Sequence, residues 1–225
     1  MEPGGLYDAD LAAIHAAGFS STYADGFHWL VTQIEGPLFD LGCGDGTWLR
    51  FAAGHGVAGA GCDISPSFVE MARAHAMTVQ LSDAQTVALP CDTSHVTALG
   101  EVLCYAAPEA PHPVKAALDH LCPHPALRWI AFDVIGPDMT DTRGTGGGAD
   151  WRYDSITTVT GPALRRRITV TRNGRDSVTN HYQHLTDPDA LRHWLSDHGF
   201  EADIGDSYGP APLLPHRFRV IARRR

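Results

Sequence analysis

The 225-residue chain is short of positive charge: 17 lysines and arginines stand against 26 acids, for a formal net charge of -9. That balance argues against a nucleic-acid partner, which demands a basic face. The basic runs Arg165-Arg166-Arg167 and Arg223-Arg224-Arg225 lie in a strand-like stretch and in a terminal tail, and read as solvated faces. No apolar run approaches the ~20 residues of a membrane-spanning helix. The opening MEPGGLYDAD lacks the charged and apolar regions of a signal peptide. Five scattered cysteines form no C-x-x-C pair and no disulfide framework. Most fall in apolar segments, as small buried hydrophobes of a reducing compartment do. A soluble, cytoplasmic protein with no membrane and no nucleic-acid partner is expected. His181 and His184 are three apart and would face opposite ways on a strand, so no metal is expected.

The stretch Leu38 to Trp48, LFDLGCGDGTW, organises the rest. A short apolar strand runs into Gly42, Gly44 and Gly46, and a helical pattern follows at once. Strand, glycine turn and helix let backbone approach a ligand closely, with free N–H groups pointing at it. A dinucleotide fingerprint needs G-x-G-x-x-G; here the third glycine comes one residue early. Asp40, two positions before the first glycine, would repel a pyrophosphate and welcome an ammonium. Asp63 follows Gly46 by seventeen residues, near the spacing at which an acid receives ribose hydroxyls in nucleotide-binding βαβ units.

Other segments take their places around this turn. Residues 7–17 and about 20–33 read as two leading helices over the open edge of the site, where Tyr7, His15 and Phe19 are candidate ligand contacts. Ser65 and Pro66 open a helix. Residues 77–81 and 128–134 read as strands, and 113–121 as a helix. Val96 to Ala106 begins as a strand and leaves the sheet at Gly100. Ligands bind at the carboxyl ends of strands in open α/β sheets, which puts Gly100, Glu101 and Tyr105 at the reacting centre. The glycine-rich stretch 136–150 reads as a flexible lid or loop, since Gly146-Gly147-Gly148 lacks the Lys and Ser/Thr of a phosphate loop. Residues 151–185 read as a three-stranded antiparallel sheet turning at Asn173-Gly174. A helix from Asp187 or Pro188 and two strands, 200–206 and 218–222, complete the chain; the three prolines of SYGPAPLLPHR exclude regular structure between them.

Taken together, YDADLAAIHAAGF, FDLGCGDG, GCDISPSFVEMARAHA, VTALGEVLCYA, FDV and DSYG resemble the motifs of small bacterial class I S-adenosylmethionine (SAM)-dependent methyltransferases, over nearly the whole chain. The resemblance implies an α/β fold: a Rossmann-like seven-stranded sheet with its last strand antiparallel, helices on both faces, and the antiparallel sheet as an insertion. It divides the chain into a helical cap (1–36), a SAM-binding core (37–150), an insertion covering the substrate site (151–185) and a return to the core sheet (186–225). Cofactor contacts would be Tyr7, Phe19, Asp40, Gly42, Cys43, Gly44, Asp63, Ile64, Asp83, Ala84 and Gly100, with Asp83 accepting from the adenine amino group and the next N–H donating to the ring. Glu101, Tyr105 and His181 are the catalytic candidates, with His184 and His216 as further bases. The cofactor would be SAM, with S-adenosyl-L-homocysteine (SAH) as product.

The Pro-Gly-Gly turn common before the fifth strand is PHPA here, 123–126. No Asn/Asp-Pro-Pro-aromatic motif follows the fourth strand, which disfavours nucleic-acid bases and glutamine as substrates. Methyl transfer to an O or N atom of a small molecule in secondary metabolism, by a monomer or homodimer, is the implied activity. A SAM-binding or interaction protein without transfer activity is the alternative. A nicotinamide-dependent oxidoreductase stands third.

Overall fold

The computed structural model describes residues 9–18 and 24–225. Helices α1 (Ala9–Gly18) and α2 (Ala24–Val31) precede the first strand. The core then alternates β1 (Leu38–Leu41), α3 (Thr47–Gly54), β2 (Gly59–Asp63), α4 (Pro66–Ala74), β3 (Val79–Leu81), β4 (His95–Ala98), a 3-10 turn (Val102–Cys104), α5 (Pro113–Leu121) and β5 (Trp129–Ile135). Four strands follow as a unit: β6 (Thr142–Gly147), β7 (Trp151–Thr160), β8 (Ala163–Arg172) and β9 (Arg175–His184). Helix α6 (Pro188–Asp197), β10 (Phe200–Gly205), β11 (Ser207–Tyr208), β12 (Ala211–Pro212) and β13 (Arg217–Arg224) return the chain to the core.

The main sheet has seven strands in the order β10-β13-β5-β4-β1-β2-β3. β1 to β5 are mutually parallel, while β13 runs antiparallel to both β5 and β10. Parallel strands covered on both faces need apolar side chains throughout. Accordingly every residue of β1, β4 and β5 is buried. Alternation sorts β5 between two cores. Trp129 and Ala131 meet Leu30, Leu49 and Val69 from α2, α3 and α4. Ile130, Phe132 and Val134 meet Leu118 and Leu195 from α5 and α6.

Local chemistry sets the helix starts. Ser65 Oγ accepts the Phe68 N–H at 3.5 Å, and Asp187 Oδ1 accepts those of Asp189 and Ala190 at 2.8 and 2.9 Å. Pro66, Pro113 and Pro188 occupy first-turn positions, where a missing N–H costs nothing. Asn173 and Gly174 both take positive φ, 51° and 73°, as the two-residue hairpin between β8 and β9 requires.

The inserted sheet differs from expectation in one strand. It is four-stranded, in the order β6-β7-β8-β9, and all its pairs are antiparallel. The extra strand, β6, comes from the glycine-rich stretch expected as a loop. Its glycines make room for aromatic rings across the pair: a Cβ on Gly146 would lie 2.5 Å from Tyr153 Cε1, and one on Gly148, just beyond the strand, 2.6 Å from Trp151 Nε1. Strand glycines mark such close approaches. The proline-rich stretch 207–217 also holds a minimal hairpin, with Tyr208 opposite Ala211 and Ser207 opposite Pro212. Proline supplies no N–H to extend that ladder.

One face of the inserted sheet looks toward the core. Val170 of β8 packs with Leu11 and Ile14 of α1, so α1 and the inserted sheet enclose space between them.

Candidate active site

The glycine turn after β1 is built from three left-handed residues, with φ of 62° at Gly42, 55° at Gly44 and 78° at Gly46. A Cβ on Gly42 would fall 2.5 Å from Val102, and one on Gly46 3.3 Å from Ala72 on α4. Those two glycines serve packing. Gly44 differs, because a Cβ there would meet no atom of the described residues within 4 Å. It borders a cleft of about 290 Å³ lined also by Gly42, Asp63, Ile64, Asp83, Ala84 and Gly100.

Asp63, at the end of β2, is buried against this turn. Its Oδ2 accepts the Gly44 N–H at 2.9 Å and its Oδ1 accepts the Ser65 N–H at 2.8 Å. Burial pushes its pKa up, and the N–H groups of Ser65, Gly44 and Ile64 pull it back only in part. Each oxygen keeps a lone pair for a ligand hydroxyl. Ile64 beside it is 36% exposed, an apolar surface open to the cleft. Asp83 is exposed and folds on itself, its Oδ1 receiving the Gln85 N–H at 2.8 Å. Gln85 in turn donates to the Tyr105 carbonyl at 2.9 Å, tying this rim to the opposite wall.

Asp40 and Cys43 lie beneath the turn, and neither lines the cleft. The Cys43 side chain packs in the core with Trp48 and Leu49, and burial pushes its thiol pKa up. Asp40 Oδ1 accepts from Thr97 Oγ1 at 2.6 Å, and Thr97 Oγ1 accepts from Trp48 Nε1 at 3.1 Å. Burial raises the Asp40 pKa to about 7; the Thr97 bond opposes the rise and the Asp63 charge adds to it. Tyr7 and Phe19 lie outside the described residues.

A second, larger cavity of about 560 Å³ adjoins the first. Its walls come from α1, the inner face of the inserted sheet and the segment 214–217. His15, Gly100 and Tyr105 line both cavities and so mark where they meet. Burial lowers the His15 pKa, with Asp45 opposing, so its ring is held neutral. Tyr105 meets the His181 ring edge-on at 5.4 Å between centroids. His181 lines the larger cavity. His184 instead turns away, bonding the Ala107 carbonyl at 3.0 Å and meeting the His112 ring. His216 lines the larger cavity and pairs with Asp138 at 3.0 Å.

Glu101 lies in the wall of that cavity with left-handed backbone, φ 64°. Its Oε1 accepts from Arg217 Nε, and its Oε2 from Gln183 Nε2 at 2.8 Å and from Arg166 at 3.4 and 3.5 Å. Burial alone would raise its pKa, but Arg166, Arg217 and Gln183 outweigh burial and hold it below the ordinary glutamate range. A carboxylate held in this way is a poor proton acceptor.

Three residues were not singled out from the sequence as site residues. Asp133, fully buried at the end of β5, accepts the N–H groups of Gly100 and Glu101 at 2.8 and 2.9 Å, and the Tyr208 hydroxyl at 3.1 Å. It thus fixes the strained bend at the junction of the two cavities. Burial raises its pKa to about 6. Arg166 and Arg217 are the others. An acid inside an apolar strand was the available signal for Asp133; the basic run that holds Arg166 read as a solvated face, whereas its side chain turns inward to Glu101, and nothing local marked Arg217.

A family model described as a methyltransferase domain matches residues 38–124, from β1 through α5 and the turn that follows it. No curated protein matches the chain. Solved structures similar to it include a S-adenosylmethionine-dependent methyltransferase from Clostridium acetobutylicum, at TM-score 0.78 and 12% identity, covering 96% of this chain and 98% of that one. The sugar N-methyltransferase KedS8 from a Streptoalloteichus species aligns at TM-score 0.74 and 18% identity, over 97% and 93%. SAM-bound CalS10, an amino pentose methyltransferase from Micromonospora echinaspora, aligns at 0.72 and 16%, over 97% and 98%. At such identities the likeness is one of fold. Residues 38–124 thus match a methyltransferase domain, and the chain as a whole shares the fold of S-adenosylmethionine-dependent methyltransferases.

Proposed function

We propose that the chain moves a methyl group from SAM to an O or N atom of a small molecule held under the inserted sheet. The observation that carries this is the meeting of two cavities at His15, Gly100 and Tyr105. One is shaped as a nucleoside cleft, and the other is roomy enough for a second reactant.

The residues present fit the cofactor. Gly44 leaves its side of the cleft open, and Asp63 is fixed by two backbone N–H groups to receive the ribose hydroxyls. Ile64 and Phe68 offer apolar surface to the nucleoside, and Asp83 with Ala84 its polar rim. Asp40 acts from beneath the turn through its charge, which favours the ammonium of the amino-acid tail. Bound SAM supplies an electrophilic sulfonium methyl, so the protein's work is alignment and proton removal. His15, kept neutral by burial, and Tyr105 stand at the junction to orient the acceptor and take its proton. His181, against the Tyr105 ring, supports that face.

The assignment to secondary metabolism draws on CalS10, which takes part in calicheamicin biosynthesis. Among the described residues no helix is long and apolar enough to cross a membrane. The acidic balance of the sequence supports the lack of a nucleic-acid partner, and a cytoplasmic monomer or homodimer completes the proposal. Calorimetry with SAH tests the first step: saturable heat is expected, and its absence would overturn the reading.

A further inference from the structure

The inserted sheet has a second face, turned away from the larger cavity. Strand alternation sends Arg166 inward to Glu101 and its neighbours Arg165 and Arg167 outward. The strand register fixes what shares the outer face. Arg143, Ile156, Arg167 and Asn180 form one row across the four strands, and Thr158, Arg165 and Tyr182 form the next. No carboxylate falls in these two rows. Asp154 and Asp176 lie in the two rows beyond, toward the other end of the strands, and Asp176 receives the Thr171 hydroxyl at 2.6 Å.

Arg143, Arg165 and Arg167 are exposed, and among the described residues none of them has a hydrogen bond or an ion pair. Arg143, at the sheet's edge, also borders the larger cavity. Arg165 and Arg167 are two apart on one strand, so their Cα atoms are about 7 Å apart and their charges repel. Nothing in the fold offsets that repulsion; a carboxylate laid between them would. Ile156 sits in the middle of its row, 37% exposed, with Arg143 on one side and Arg167 on the other. Tyr182 stands beside Arg165. An apolar centre with arginine and tyrosine around it has the composition of a protein interface.

We infer that this outer face docks a partner protein through an acidic segment that carries apolar residues among its carboxylates. Charge complementarity selects the acids, whose oxygens match the planar guanidinium forks. Ile156 and Tyr182 select the apolar residues. A bilayer or a nucleic acid would present negative charge to much of the molecule, whose net charge is -9 and whose residues 142–184 contain no acids but Asp150, Asp154 and Asp176. A short segment meets the arginines alone, since charges beyond ~8 Å are screened at physiological salt. A second copy of this chain, related by a two-fold axis through the patch, would set arginine against arginine. The inference does not depend on the cofactor reading.

The test titrates the full chain into a fluorescein-labelled peptide that alternates glutamate with leucine, and follows fluorescence anisotropy. Saturable binding that weakens with added salt is expected. The matching glutamine–leucine and lysine–leucine peptides should not bind. The double reversal Arg165→Glu with Arg167→Glu should weaken the acidic peptide about tenfold or more, because it sets like charges together. The pair Arg50→Glu with Arg192→Glu makes the same change of net charge on exposed sites of α3 and α6, and should leave the affinity near that of the native chain. Thermal melts of both variants check that they are folded. The inference is overturned if the acidic peptide does not bind, if the glutamine–leucine peptide binds equally well, or if both double variants lose affinity alike. It is also overturned if phosphatidylserine vesicles or a single-stranded oligonucleotide bind this face more tightly than the peptide, with loss on Arg165→Glu and Arg167→Glu; the partner would then be a membrane or a nucleic acid.

Discussion

Replacing Asp63 separates the cofactor reading from a purely structural one. The side chain is buried, and it receives the N–H groups of Gly44 and Ser65. Asp63→Ala removes both acceptors. The Ser65 N–H loses its partner in a buried setting, which costs about 1–3 kcal/mol of stability. For a chain of this size that is a fall in Tm of roughly 2–4 °C per kcal/mol. If the carboxylate also receives ribose hydroxyls, cofactor binding loses hydrogen bonds to a charged group, worth about 1.5–3 kcal/mol, or roughly 10- to 150-fold in affinity. Calorimetry with SAH, run well below the melting temperature of the variant, gives the affinity, and thermal melts without ligand give the stability. Asp63→Asn keeps one carbonyl acceptor and should soften both effects. A variant that melts early yet binds SAH as tightly as the native chain would refute the ribose role and leave Asp63 as a turn acceptor only.

Gly44→Val should abolish SAH binding while the chain stays folded. A β-branched residue at φ 55° costs ~1–2 kcal/mol and projects where no atom of the described residues lies within 4 Å; undiminished SAH affinity would show that the cleft is not the cofactor site. Asp40, raised to about 7, predicts opposite pH trends for binding and stability. Its charge appears as pH rises through 7, so attraction for the ammonium of the SAH tail, and with it the affinity, should climb between pH 6 and 8, and Thr97→Val should move that rise to higher pH. The folded chain meanwhile keeps a proton that the unfolded chain releases above 3.8, so the Asp40 contribution to stability without ligand is present below that value and is lost as pH rises through about 7. A flat affinity profile would remove Asp40 from cofactor binding. Asp133→Ala leaves the Gly100 and Glu101 N–H groups without their acceptor, at about 1–3 kcal/mol each, whereas Tyr208→Phe removes one bond worth ~0.5–1.5 kcal/mol. Melts that show equal losses for the two variants would mean that Asp133 does not hold the bend.

The cleft around Gly44 and Asp63 was legible because its chemistry is local. Three glycines at a strand end require positive φ, and the acid seventeen residues on is carried there by one βαβ unit of standard length. Asn173-Gly174 announced its hairpin, and the apolar run 128–134 its place as a central strand, for the same reason: each depends on conformational preferences within a few residues. The β6 strand escaped notice because its glycines are shaped to rings across the sheet, which no local rule reports.

The larger cavity was decided by tertiary structure. Glu101 meets Gln183 and Arg217 across 82 and 116 residues of chain, and Asp133 meets Tyr208 across 75. His15 becomes a junction residue only because α1 lies over the carboxyl ends of the strands. Such partnerships arise where the closing sheet, the inserted sheet and the last strand bring side chains together. Glu101, which stood in the sequence as a candidate base, therefore becomes an arginine-paired anion once its neighbours are in place.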